Sequence, residues 1–111
     1  YLLPKIRQLD QWITPQSQQR VFEAHPELIF SRLAGHPLEQ TKKSPAGREL
    51  RASLLPWPVP TPPGKVSQVQ PDDVLDALAL LWCALHPGSP LGGEQRDSRG
   101  LLMQIYGFGT A

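Results

Sequence analysis

The stretch from Pro71 to His86, PDDVLDALALLWCALH, limits what this chain can become more than any other. Proline at its first position suits a helix start, because the N–H that proline lacks has no intrahelical partner in the first turn. From Val74 onward nearly every residue is apolar. At about 3.6 residues per turn, Val74, Leu78, Leu81 and Leu85 share one side, and Ala77, Leu80 and Ala84 another. Past Asp76 the helix is therefore apolar all round, which is the pattern of a buried helix. Its first two turns carry Asp72, Asp73 and Asp76, which the i,i+3 and i,i+4 spacings place on one face. Carboxylates at a helix start cap free N–H groups and complement the dipole, which accounts for Asp72 and Asp73. Asp76 falls beyond the orphan donors, where the helix is about to enter the core. A carboxylate there needs a partner, and a divalent cation is one that satisfies several at once. On these residues alone, metal binding and capping with ordinary solvation are both open.

The rest of the chain must supply what packs on that helix. With 111 residues it is one domain of modest core, and 40% hydrophobic against 19% charged residues fits a globular protein. A formal net charge of +1 excludes a global basic field, so any recognition of nucleic acid has to be local. The single cysteine, Cys83, excludes an internal disulfide framework and points to a reducing, cytoplasmic setting. No apolar run reaches transmembrane length, so no membrane partner is expected. The sequence opens at Tyr1 without an initiator Met, and is expected to be a piece of something longer.

Taken in order, Pro4 to Ile13 reads as a short helix with Ile6, Leu9 and Ile13 on one face. Arg20 to His25 (RVFEAH) is the best strand candidate, because Val21 and Phe22 are strand formers at consecutive positions. Pro26 ends it and opens a helix to Ala34, with Gly35 beyond. Glu23, His25 and Glu27 crowd this strand-to-helix junction, where open α/β sheets place their chemistry. Glu27 also suits a helix dipole, and His25 an ordinary hydrogen bond. Ser44 is an N-cap candidate with Pro45 at the first helical position, and Leu50 and Leu54 form the apolar stripe of that helix. Around this start lie Lys42, Lys43, Arg48 and Arg51 against Glu49, the one locally basic segment. Basic side chains beside a helix N-terminus suit a phosphate, although a charge run is more often a solvated face. Five prolines in nine residues make 56–64 stiff and extended, within a connector spanning 56–70. Residues 86–99 form a Gly/Pro loop, and Leu101 to Tyr106 a closing strand or an apolar tail.

Four motifs combine into a resemblance. Asp73-Val74-Leu75-Asp76-Ala77-Leu78-Ala79 looks like the last acidic motif of RNase H-like nucleases, most closely that of bacterial Holliday-junction resolvases. The order of segments resembles a bacterial family of predicted RNase H-like nucleases, in which a KIREVD-like helix precedes E-x-HPE, KK-x-P-x-GR and DD-x-x-DA-x-A. Here these read Lys5-Ile6-Arg7-Gln8-Leu9-Asp10, Glu23-Ala24-His25-Pro26-Glu27, Lys42-Lys43-Ser44-Pro45-Ala46-Gly47-Arg48, and the acidic helix. The agreement runs from Lys5 to Leu81 and again from Gly100 to Ile105.

The resemblance implies an α/β, RNase H-like fold, truncated so that it lacks the N-terminal strand hairpin. This chain would be mostly helical with one or two strands, and a preceding half-domain or a second chain would complete the sheet. It further implies a metal-dependent nuclease acting on phosphodiester bonds of nucleic acid. Glu23, Asp73 and Asp76 would be catalytic and hold Mg²⁺ or Mn²⁺. Lys42, Lys43 and Arg48 would bind phosphate, and His25, Glu27 and Asp72 would support them. The alternatives are a non-catalytic RNase H-like module that binds a nucleotide or protein partner, and an inactive structural fragment.

Overall fold

A computed structural model describes residues 2–60, 69–86, 88 and 90–106. Four helices form within them: α1 (Leu2–Trp12), α2 (Pro26–Ala34), α3 (Pro45–Leu54) and α4 (Pro71–Leu85), with a single 3₁₀ turn at Ser17–Gln19. Three of the starts follow from proline at the first helical position of α2, α3 and α4. At the end of α2, Gly35 takes φ 82, and its N–H bonds back to Ser31 and Arg32 carbonyls. That left-handed conformation is strained for any residue with a Cβ, which is why glycine closes the helix.

The core is small. Ile29 and Phe30 of α2, Leu55 after α3, and Leu75, Ala79 and Cys83 of α4 are buried together. Leu33, Leu38, Ala52, Trp57, Trp82 and Tyr106 pack around them. Helix α4 packs against both α2 and α3, and α2 also touches α3, whereas α1 packs on no other helix among the described residues. Instead α1 is held by Arg99, whose guanidinium pairs with the Asp10 carboxylate and donates to the Asp10 carbonyl at 2.7 Å. Leu2, Leu3, Ile6, Leu9 and Trp12 of α1 are all exposed.

The structure corrects the fold expected from the sequence. Among the described residues there is no strand and no sheet, so the α/β RNase H-like layout is absent and the molecule is helical. Residues Arg20 to Ala24, expected as a strand, leave the 3₁₀ turn with Val21 N–H bonded to Ser17 O. Their one bridge is Ala24 with Tyr106, through Tyr106 N–H to Glu23 O at 2.6 Å. The preference of Val21 and Phe22 for strands reflects packing on a half-buried surface, and here both side chains are exposed. The segment Leu101 to Tyr106 likewise makes only isolated bridges, two of them antiparallel with Leu91 and Arg96. Helix α4 is buried along one stripe, Asp72, Leu75, Ala79 and Cys83, not all round, with Leu81 47% and Leu85 59% exposed. Two neighbouring helices cover one side of it and cannot enclose it. Residues 61–68 of the proline-rich connector lie outside the described residues. None of the described helices is long and apolar enough to cross a membrane.

Candidate functional site

The packing of α3 beside α4 brings the loop before α3 over the acidic end of α4. That loop is built locally. Ser44 accepts the Gly47 N–H at 3.0 Å and donates to Thr41 O at 2.8 Å, so it caps α3 and closes the turn at once. A Cβ on Gly47 would lie 1.9 Å from Thr41 O, so only glycine lets the first turn of α3 approach this carbonyl. Arg48 Nη1 donates to Lys43 O at 2.8 Å. The turn from Thr41 to Ser44 is thus braced from both ends.

Its two lysines reach α4. Lys42 Nζ lies 2.8 Å from Asp76 Oδ2, and Lys43 Nζ lies 2.8 Å from Asp72 Oδ2. Asp72 and Asp76 are one helical turn apart, so consecutive lysines meet consecutive carboxylates of one face. Asp72 is buried, its side chain 6% exposed, and Lys43 extends down to it from the surface. The hydrogen bond from Lys43 holds the Asp72 carboxyl below its ordinary value against the opposing cost of burial. The bond to Asp76 raises Lys42, helped by the charges of Asp76, Asp72 and Glu27. Asp76 Oδ1 is buried with no hydrogen-bond partner among the described residues.

The other acids named from the sequence stand elsewhere. Asp73 accepts the Gln70 N–H at 2.8 Å, and its own N–H bonds to Gln70 O at 3.0 Å, so this carboxylate is used in capping the start of α4. Glu23 is exposed, 3.2 Å from His25 Nε2, outside the Lys42–Asp76 cluster. Among the described residues no three His, Cys, Asp or Glu side chains lie close enough together to hold one metal ion. Glu27 faces Arg51, with Arg51 Nη2 at 2.5 Å and Nε at 3.2 Å from its two oxygens.

That last pair was not legible in the composition, where Arg51 reads as one of a basic run and Glu27 as a dipole complement. Arg51 is 2% exposed. The sequence offers only a spacing: Gly47 and Arg51 are i,i+4 on α3 and so lie on one face, which the structure shows to be buried.

The metal question turns on Asp72 and Asp76. Mg²⁺ is commonly held by one or two carboxylates, waters and substrate phosphates, rather than by an all-protein cage. Asp72 and Asp76, one turn apart and each bonded to a lysine, are the two carboxylates that come together here, and Asp76 Oδ1 has no hydrogen-bond partner among the described residues. Glu23 and Asp73, engaged elsewhere, do not join them.

Comparison with known proteins adds a family and no activity. A family model described as "Protein of unknown function (DUF429)" matches residues 1–93. No curated protein and no solved structure gives a significant match.

Proposed function

Since the chain belongs to the DUF429 family, whose description names no activity, we propose its function from the site itself: metal-dependent, nuclease-like action on phosphodiesters of nucleic acid. The observation that carries this reading is the pairing of Lys42 with Asp76 and Lys43 with Asp72 beside a buried Asp76 oxygen that has no hydrogen-bond partner among the described residues. Cations and anions stand here in a layout that a phosphate ester and a divalent ion can share.

In this reading Asp72 and Asp76 hold Mg²⁺ or Mn²⁺. The ion, when bound, supplies charge neutralisation at the phosphodiester and lowers the pKa of a coordinated water. Lys42 and Lys43 exchange their carboxylates for phosphate oxygens as the substrate arrives. Lys43, 68% exposed, moves first, and Lys42, more enclosed, stays nearest the carboxylates. Arg48 holds Lys43 O and keeps the turn at working height. Asp73 shapes the start of α4 and touches no substrate. A reducing, cytoplasmic setting belongs to the proposal and rests on Cys83 being the one cysteine and a buried free thiol.

The same pairs favour a second reading, a non-catalytic module whose lysines bind a nucleic-acid or nucleotide phosphate while the carboxylates serve only as their counter-ions. One experiment separates the two. The protein is incubated with labelled single- and double-stranded oligonucleotides in Mn²⁺, in Mg²⁺ and in EDTA, alongside Asp76→Asn. Cleavage that needs the ion and is lost in Asp76→Asn supports the first reading. Retained binding with no cleavage in any condition leaves the second.

A further inference from the structure

Arg51 makes more contacts than its helix needs. A bidentate pair with Glu27 already compensates a buried guanidinium. Its remaining terminal nitrogen, Nη1, donates instead to Gln40 O at 2.8 Å and to Gly47 O at 2.9 Å. Those two carbonyls bracket the turn that carries the lysines: Gln40 stands two residues before Lys42, and Gly47 lies in the first turn of α3. A cavity of ≈ 260 Å³ opens beside the turn, lined by Glu27 and Arg51 together with Leu38, Gln40, Thr41 and Lys42, and the Nη1 bond ties Gln40 O to α3 at its edge.

We infer that Arg51 is a positioning residue, which sets the register of Lys42 and Lys43 over Asp76 and Asp72 through Gln40 O, with Glu27 holding the guanidinium at the required angle. The inference rests on the reading that these lysines meet phosphate, and it adds what places them. It depends on the planar fork, which aims at a carboxylate on one side and two carbonyls on the other. A lysine at this position keeps the charge and loses the fork.

The test is a double-mutant cycle on oligonucleotide affinity. Anisotropy of a fluorescein-labelled single strand is measured in EDTA, so that no metal is required. The forms compared are the wild type, Arg51→Lys, Lys42→Ala/Lys43→Ala, and all three changes together, each with a thermal melt. Arg51→Lys should weaken binding on the order of tenfold and add nothing once both lysines are gone. An Arg51→Lys protein that melts lower yet binds as wild type has lost a purely structural residue, and overturns the inference. So does an equal loss in both backgrounds. If Lys42→Ala/Lys43→Ala itself binds as wild type, the phosphate reading fails and the positioning role fails with it. Should Arg51→Lys not fold, Glu27→Gln replaces it in the same cycle: it keeps an oxygen acceptor for Arg51 but slackens the fork. A smaller loss, again confined to the background with both lysines, is then expected, and additive behaviour contradicts the inference.

Discussion

Lys42 Nζ donates to Asp76 Oδ2 at 2.8 Å, while the other oxygen of the same carboxylate is buried and accepts no hydrogen bond among the described residues. A buried acceptor without a donor costs about 1–3 kcal/mol. A purely structural ion pair gains nothing from that arrangement. A carboxylate that must take up a further ligand does, and this asymmetry is why Asp76 stands at the centre of the proposed function.

The buried face of α4 is a direct check on the fold. Leu75 is 3% exposed and Leu81 47% exposed. Leu75→Ala should therefore cost about 2–5 kcal/mol, while Leu81→Ala should stay within about 0.5 kcal/mol. Urea unfolding measures both. Similar losses at the two positions would return α4 to a helix buried all round.

Gly47→Ala sets two effects against each other. Alanine is the better helix former by about 1 kcal/mol. Its Cβ would fall 1.9 Å from the Thr41 carbonyl oxygen, a backbone atom that cannot swing aside. The clash should win, so the variant should melt below the wild type and also bind an oligonucleotide less well, because Thr41 carries the lysine turn. A higher melting temperature would show that α3 and this turn are not in close contact.

Stability should fall at both ends of the pH scale through the two Lys–Asp pairs. The folded pKa of Asp72 lies below its ordinary 3.8, through the bond from Lys43. Its contribution is therefore present above that value and lost as pH falls through the lowered one. The folded pKa of Lys42 lies above its ordinary 10.5, chiefly through the bond to Asp76. That contribution is complete below 10.5 and lost as pH rises through the raised value. Denaturant midpoints across pH should lose part of the acid limb in Asp72→Asn and part of the alkaline limb in Lys42→Met. Variant profiles parallel to the wild type at both ends would remove the pairs from the account.

Helix positions were legible because they rest on local chemistry. Pro26, Pro45 and Pro71 each open a helix, Gly35 closes α2, and the Ser44 side chain caps α3. The strand was misread because Val21 and Phe22 form strands only where another strand and a packed face receive them, and neither fact is local. Lys42, Lys43, Asp72 and Asp76 were among the candidates read from the sequence, but their pairings were not legible, and Glu23 and Asp73, expected beside Asp76, are engaged elsewhere. Lys42, Lys43, Asp72 and Asp76 are separated by about thirty residues, as Lys42 and Asp76 are by 34, and only the packing of α3 on α4 joins them. Asp73 looked equivalent to its neighbours because its i,i+3 relation to Asp76 is real. Its carboxylate nonetheless turns back to the Gln70 N–H, since at the third helical position that donor is within reach.

The central claim, that Asp76 accepts a divalent ion, is tested most directly by a thermal melt with Mn²⁺ against EDTA, on the wild type and on Asp76→Asn. An ion that binds only the folded form stabilises it by about 2.7 kcal/mol at a hundred times its dissociation constant, so millimolar Mn²⁺ should raise the wild-type melting temperature by several degrees. Asparagine keeps the volume and removes the charge, and should abolish most of that rise. No shift in the wild type, or an undiminished shift in Asp76→Asn, contradicts the claim.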